Sequence, residues 1–191
     1  MDSDDFVSSL KFKLLPESMA LCLMRAAALL TAWEFIRSSI VDGVRDFYCY
    51  GVDANGRYLY DNKYARGVLS KVVKGGSPTI FDVSVAWLVN AEALTEGDVD
   101  LLQAIREHRN DVAHELTKYL VDPEHAVKID LLLRSRDVIQ RLGQFWGQIA
   151  VDTDPSLDNR DVAPEEIRSG QSLLFDYVLS LINATPEDPP P

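Results

Sequence analysis

The chain of 191 residues is 47% hydrophobic and 26% charged, which is the composition of an ordinary soluble globular domain. Acidic residues outnumber basic ones by 30 to 19, and the net charge of −11 excludes a broad basic surface for nucleic acid, because phosphate contacts need Lys and Arg. From Asp152 to the end nine acids face two arginines, so the rest of the chain is closer to neutral and leaves room for a local basic site.

The length and the two ends of the chain predict one domain that lies away from membranes. We expect a single helical domain over residues 1–184 and a Pro-rich, disordered tail over residues 185–191. The N-terminus is acidic, unlike a signal peptide, and no uninterrupted apolar run reaches the roughly 18 residues that span a bilayer. Only Cys22 and Cys49 are present, which excludes a disulfide framework and a cysteine-based metal site. We therefore expect a cytoplasmic protein with no membrane partner.

The first strong helical signal begins at Pro16, which suits the first position of a helix because it lacks an N–H. Residues 1–15 are mixed, and we expect no fixed element there. From Glu17 to about Tyr50 a repeat of three and four residues predicts one long helix as a bundle spine, with Gly43 as the candidate for a bend. The repeating positions are Leu23, Ala27, Leu30, Trp33 or Glu34, Arg37, Ile40, Val44 and Phe47.

The segments from 48 to 94 predict turns that connect two shorter helices. The turn signal at 51–56 lies between aromatic triplets and fits either a short hairpin near 48–60 or a plain interhelical loop. Residues 62–74 predict a modest helix. The glycines of 75–78 are not followed by Gly-Lys-Ser/Thr, so they indicate a connecting turn rather than a phosphate-binding loop. A further helix is predicted over 79–94.

The second half of the chain predicts three more helices. Thr95 and Asp98 form a capping-box pattern that opens one of them. Asp122-Pro123 predicts the start of a second, which runs to about Ala150. Its predicted core stripe is Val127, Leu131, Arg134 or Leu132, Val138, Leu142, Phe145 and Ile149. After an acidic loop, Pro164 is expected to start a last helix to about Asn183. The sum is an all-α bundle of about six helices with little or no sheet.

The chemically richest stretch is residues 105–116, with two of the three histidines, two arginines and an asparagine. On a helical wheel Arg109 falls inside the apolar stripe that runs from Leu101 to Leu116. His114 falls roughly opposite, on the polar face that also carries Asn110 and Lys118. One straight helix therefore keeps Arg109 and His114 apart within a protomer.

Two arrangements remove this obstacle. The helix breaks near residues 108–110 with Asn110 as a fresh N-cap, which is the interpretation we favour, or Arg109 lies at the edge of the core and carries its guanidinium to a cleft. Both arrangements place an Arg and a His near the start of a helix, where backbone N–H groups favour anions such as phosphate. We expect His108 and His125 on the surface. No metal site is predicted, because no His-Glu-x-x-His occurs and His108 and His114 lie on different faces of a straight helix.

The segment Arg109-Asn110-Asp111-Val112-Ala113-His114 resembles the Arg-x4–6-His motif of the HEPN superfamily, the higher eukaryotes and prokaryotes nucleotide-binding domains. The polar residue after the Arg, the Ala before the His and the all-helical context strengthen the likeness. The motif covers about 15 residues, and the helical pattern extends the likeness over roughly 60–180.

The resemblance implies a helical bundle that dimerises, so that the motifs of two protomers form one composite cleft. It implies a metal-independent endoribonuclease without a cofactor, in a toxin–antitoxin or defence setting, with RNA or a nucleotide and an antitoxin protein as partners. His114 would be the general acid/base and Arg109 would hold the scissile phosphate. Asn110, Arg106 and Lys118 would support the motif or bind substrate. The alternative is a non-catalytic HEPN-like module that binds a nucleotide or a protein.

One position departs from the toxin branch of that superfamily, which often carries Tyr two residues after the His. This chain has Leu116 there, and Tyr119 is the nearest tyrosine. The departure weakens the link to that branch and to modification of a tyrosine at that position.

Overall fold

The structure is a computed structural model that describes residues 3–154, 156 and 162–183. Its helices are α1 (Ser3–Lys13), α2 (Pro16–Phe47), α3 (Asn62–Gly67), α4 (Ile80–Asn90), α5 (Glu96–His114), α6 (Leu116–Val121), α7 (Ile129–Thr153) and α8 (Gly170–Asn183). Two strands, β1 (Cys49–Val52) and β2 (Tyr58–Tyr60), and two single-turn 3₁₀ helices, Leu69–Lys71 and Pro164–Glu166, complete the described part of the chain. The predicted all-α bundle is confirmed, with eight α-helices rather than about six because α1 and α6 were not anticipated.

Helix α2 is the spine of the bundle, and α4, α5, α7 and α8 pack around it. Ile36 and Ile40 of α2 are fully buried, as are Ile105 of α5, Leu142 of α7 and Phe175 of α8. Burying one such side chain contributes roughly 1.5–3 kcal/mol, so a single core holds these five helices together.

Among the described helices only α2 is long and apolar enough to cross a membrane. Arg25 and Glu34 interrupt it, which is why no unbroken apolar run was found in the sequence. Nine of its residues are buried inside the bundle, as in the core helix of a globular fold.

Gly43 allows the indole of Trp146 on α7 to lie directly against α2. A Cβ atom at this glycine would lie 2.6 Å from Cε2 of Trp146, where two carbon atoms overlap. The same indole donates a hydrogen bond of 2.9 Å to the carbonyl of Ser39 and stacks on Trp87 of α4, with 6.1 Å between ring centroids and 8° between planes. Helix α2 continues through Gly43, whose evident role is this close approach.

The segment 48–60 forms the hairpin rather than the plain loop. Strands β1 and β2 pair antiparallel, with an irregularity between Cys49 and Gly51. The carboxylate of Asp53 accepts hydrogen bonds from the backbone N–H groups of Asn55 and Arg57. Gly56 has a φ of 77°, a conformation that favours glycine, so the turn chemistry fixes the hairpin.

The expectation of no fixed element over residues 1–15 is wrong, because α1 occupies most of that segment. Its last residue, Lys13, donates a hydrogen bond of 3.0 Å to the carbonyl of Tyr119 and further bonds to the carbonyls of Asp122 and His125. These carbonyls lie at the end of α6 and just beyond it, where backbone acceptors lack helical partners. The bonds span more than 100 positions, so no local pattern could reveal them.

Two predicted helix starts are also wrong. Asp122-Pro123 forms a turn in which the Asp122 carboxylate accepts from the N–H of Glu124, and the following helix begins only at Ile129. Pro164 opens a single 3₁₀ turn, and α8 begins at Gly170.

Smaller differences concern element lengths and the core stripe. The predicted helix over 62–74 is α3 followed by a 3₁₀ turn, and the predicted helix over 79–94 ends at Asn90. In α7 the buried alternative is Leu132 and not Arg134. The predicted disorder of 185–191 lies outside the described residues.

Candidate functional site

The start of α5 is fixed by the predicted capping box, which is confirmed. The Asp98 carboxylate accepts from the backbone N–H and the hydroxyl of Thr95, both at 2.8 Å, and its other oxygen accepts from Arg141 of α7 at 2.5 Å. Burial alone would raise the pKa of Asp98, but these hydrogen bonds and the Arg141 charge outweigh it and hold that pKa below its usual range. The N-terminal end of the motif helix is thereby anchored to α7.

Helix α5 is unbroken from Glu96 to His114, so the predicted break near residues 108–110 is wrong. Asn110 does not act as an N-cap, because its side-chain oxygen accepts from the Arg109 guanidinium at 3.2 Å. The helix ends instead after His114, where Glu115 leaves the helical conformation with φ −119° and ψ 27°, and α6 begins at Leu116.

Arg109 follows the alternative arrangement, at the edge of the core with its guanidinium in a cleft. Its side chain is 29% exposed, and one terminal nitrogen forms an ion pair of 3.2 Å with Glu34 of α2. Its Nε is buried and has no hydrogen-bond partner among the described residues. The two hydrogen bonds of the guanidinium, both 3.2 Å long, are at the weak end of the usual range.

The cleft between α2, α4 and α5 contains three guanidinium groups. It has a volume of about 290 Å³ and is lined by Trp33, Glu34, Arg37, Phe81, Arg106, Arg109 and Asn110. We call it the arginine cavity. The structure thus brings Arg106, Arg109 and Asn110 together. Arg106 lies three and four positions before the other two on one helix. The wheel placed Asn110 on the polar face opposite Arg109, but the long Arg109 side chain reaches across to it.

His114 and Lys118 lie away from this cavity. His114 is exposed at the C-terminal end of α5, and Lys118 on α6 forms an ion pair of 3.1 Å with Glu115. Because Arg109 and His114 are five positions apart on one straight helix, they point about 140° apart around its axis. One protomer therefore does not place both side chains in one cleft.

The expectation that His108 lies on the surface is wrong. Its side chain is buried, and Nε2 accepts a hydrogen bond of 3.0 Å from the backbone N–H of Lys128, the residue that precedes α7. Burial and the nearby Lys128 lower the pKa of His108, against the opposing effect of Asp111 and Asp130. His108 is thus a structural acceptor. His125 is about a third exposed and pairs with Asp122 at 3.0 Å.

Tyr119 does not replace the tyrosine that is missing at position 116. It is only 3% exposed, and its hydroxyl donates to the carboxylate of Asp111. Burial and the Asp111 carboxylate together raise the pKa of Tyr119 far above its usual range. A buried phenol in this environment is poorly placed for modification or for proton transfer.

Sequence reasoning missed Glu34 and Arg37 as site residues. Both lie at repeating positions of the long helix. Arg37, like Arg109, is an arginine within a predicted apolar stripe, and such an arginine can carry its charge to a cleft at the edge of the core. Only the packing of α2 against α5 shows that these stripes meet. Within the described residues, no group of three or more His, Cys, Asp or Glu side chains could hold a metal ion.

Comparisons with known families, with curated proteins and with solved structures found no match for this chain.

Proposed function

We propose that this protein is a HEPN-type endoribonuclease that cleaves RNA without a metal at a site formed by the α5 helices of two protomers. The observation that carries the proposal is the geometry of the motif on α5. Arg109 is held in a solvent-open cavity beside Asn110, while His114 is exposed at the end of the same helix, about 140° away. A two-fold arrangement supplies the Arg109 of one protomer to the His114 of the other.

In the proposed reaction His114 acts as the general base that removes the proton of the ribose 2′-hydroxyl. The 2′-oxygen attacks the neighbouring phosphorus, and the bond to the 5′-oxygen of the next nucleotide breaks. That oxygen takes up a proton from solvent water, and His114 returns its proton to solvent, so the products are a 2′,3′-cyclic phosphate and a 5′-hydroxyl end. Arg109 stabilises the negative charge that develops on the phosphorane oxygens. An imidazole suits the proton transfer near neutral pH.

The proposal includes the biological setting of a toxin–antitoxin or defence system, with an antitoxin protein as the partner that covers the site. The support is the motif alone, so the setting depends on the proposed activity. The acidic chain, with a net charge of −11, favours recognition through the local site rather than through a broad RNA-binding face.

The test is cleavage of a labelled single-stranded RNA by the wild type, His114→Ala and Arg109→Gln, with EDTA present. Each variant is expected to lose at least about a hundredfold in rate, as for removal of a general base or a phosphate-stabilising group. His125→Ala is the matched control, since it removes a histidine of intermediate exposure elsewhere on the surface. Equal cleavage by the wild type and His114→Ala would falsify the assignment.

The second candidate is a non-catalytic module that binds a nucleotide or a protein partner. It is favoured by the separation of His114 from the arginine cavity within one protomer. Thermal stabilisation by nucleotides, without cleavage of any RNA by the wild type, would select this candidate.

A further inference from the structure

The arginine cavity reverses the charge of the chain locally. Arg37 from α2 and Arg106 and Arg109 from α5 line it, and Glu34 is the only acid among the described residues of its lining. The formal charge of these four residues is +2. The chain as a whole has 30 acids and 19 basic residues. The acidic composition of the chain would predict a negative charge where α2 and α5 meet, and the cavity there is positive instead.

The guanidinium groups are available for a ligand. Among the described residues, the side chains of Arg37 and Arg106 have neither a hydrogen bond nor an ion pair. Arg109 has one ion pair, and because Glu34 is about half exposed, solvent screens that pair and makes it weak. Arg106 and Arg109 are also three positions apart on one helix, where like charges repel each other. An anion in the cavity would relieve this repulsion and give two unpaired groups a partner.

We propose that the arginine cavity binds a terminal phosphate monoester, carried by a mononucleotide or by the end of an RNA strand. A monoester has a charge near −2, which matches the cavity, whereas an internal diester has a charge of −1. Guanidinium forks donate paired hydrogen bonds to phosphate oxygens, and Asn110 is a further polar group in the lining. Trp33 and Phe81, with ring centroids 5.3 Å apart, form the apolar part of the lining.

This inference goes beyond the proposed cleavage. Arg37 and Arg106 lie outside the Arg109–His114 motif, and all the lining residues come from one protomer. Binding of the phosphate requires neither His114 nor a second protomer, so it can be observed even if no RNA is cleaved.

Calorimetric titration of the full chain tests the proposal with inorganic phosphate, AMP, and one RNA oligonucleotide with either a 5′-phosphate or a 5′-hydroxyl end. His114→Ala protein is used for the RNA arms so that cleavage does not interfere. Arg37→Gln and Arg106→Gln are each expected to weaken binding about tenfold, the effect of one charge-assisted contact at a partly exposed site. Glu34→Gln is expected to strengthen binding, because it removes the competing carboxylate. Arg66→Gln, on the exposed surface of α3, is the matched control and is expected to bind like the wild type.

The two sources of the phosphate give different results. Tighter binding of the 5′-phosphorylated RNA than of the 5′-hydroxyl RNA identifies an RNA end, and binding of AMP without that difference identifies a free nucleotide. The proposal is overturned if neither AMP nor the phosphorylated RNA binds, or if Arg37→Gln and Arg106→Gln bind as tightly as the wild type. The phosphate and AMP titrations do not involve His114, so failure of the His114 cleavage test leaves their outcomes unaffected.

Discussion

At the scale of single residues, the three histidines occupy three different environments. His114 is exposed at a helix end, His125 pairs with Asp122 in a turn, and His108 is buried as the acceptor of the Lys128 N–H. Their spacing in the sequence gave no way to separate these roles. His108 lies only six positions from His114, yet the first is part of the core and the second faces solvent.

The buried His108 predicts a pH dependence of stability. Its pKa is lowered in the folded state, so the folded protein favours the neutral ring. The stability that this ring contributes is fully present above the unfolded pKa of about 6.5 and is lost as the pH falls toward the lower folded pKa. We expect the free energy of unfolding in urea to fall below pH 6.5, by at most about 1.4 kcal/mol per pH unit from this group.

His108→Gln is expected to flatten the part of this profile between pH 6.5 and 5, and His114→Gln to leave it in place. An equally steep profile in His108→Gln would show that another group causes it.

Part of the candidate site could be predicted at this scale. Arg109 and Asn110 were found because their spacing to His114 is a local pattern, and Arg106 follows from the same helix. Glu34 and Arg37 could not be assigned, because they lie more than 60 positions away and only the packing of α2 on α5 brings them to the cavity. The burial of His108 likewise depends on the start of α7.

At the scale of elements, α4 and α5 begin with the same capping box but differ in one contact. In α4 the carboxylate of Asp82 accepts from Thr79, and in α5 that of Asp98 accepts from Thr95. Asp98 alone also accepts from Arg141 of α7. Substitutions at Asp82 and Asp98 therefore separate the stability that a capping-box carboxylate contributes from the stability that the contact between α5 and α7 contributes.

Asp98→Ala is expected to lower the free energy of unfolding by about 2–3 kcal/mol, because it removes both the N3 carboxylate of the capping box and the charge-assisted hydrogen bond from Arg141. Asp82→Ala is expected to cost only about 1 kcal/mol, because it removes the N3 carboxylate of the capping box and leaves the Thr79 cap in place. Urea unfolding of both variants measures the difference. Equal losses would mean that Arg141 contributes nothing to the anchoring of α5.

The packing of Trp146 on α2 predicts a strong effect of a single methyl group. Gly43→Ala would place a Cβ atom 2.6 Å from the indole, which is held by Trp87 and by the carbonyl of Ser39. We expect a net loss of roughly 1–3 kcal/mol, although alanine favours the helix by about 1 kcal/mol.

Gly67→Ala, where no atom lies within 4 Å of the added Cβ, is the matched control and is expected to be as stable as the wild type or up to about 1 kcal/mol more stable. A stability gain in Gly43→Ala would show that the indole moves away freely.

The elements that the sequence predicted well are those with long apolar periods or complete caps. Helix α2 and the start of α5 belong to this group. The end of α5 does not, because no glycine or proline marks the change of direction at Glu115. Helix α1 was not predicted for another reason, because the backbone carbonyls that Lys13 contacts lie at the end of α6 and in the turn after it, more than 100 positions away.

At the scale of the whole molecule, the proposed activity depends on an assembly of two chains. Mixing inactive Arg109→Gln and inactive His114→Ala proteins, after dissociation and reassociation, tests this directly. If each site combines Arg109 of one protomer with His114 of the other, half of the dimers regain one intact site. We expect recovery of up to about a quarter of the wild-type rate.

Each variant reassociated with itself is the control and is expected to stay inactive. No recovery in a mixture shown to contain mixed dimers would exclude a site shared in this way.

The contact between Gly43 and Trp146 also restricts which substitutions these two positions can accept during evolution. A larger side chain at position 43 fits only if the ring at position 146 becomes smaller or turns aside. These two positions are therefore expected to change together among related chains, with small residues at 43 wherever an indole occupies 146. An alignment in which alanine or serine at 43 commonly accompanies tryptophan at 146 would contradict this expectation.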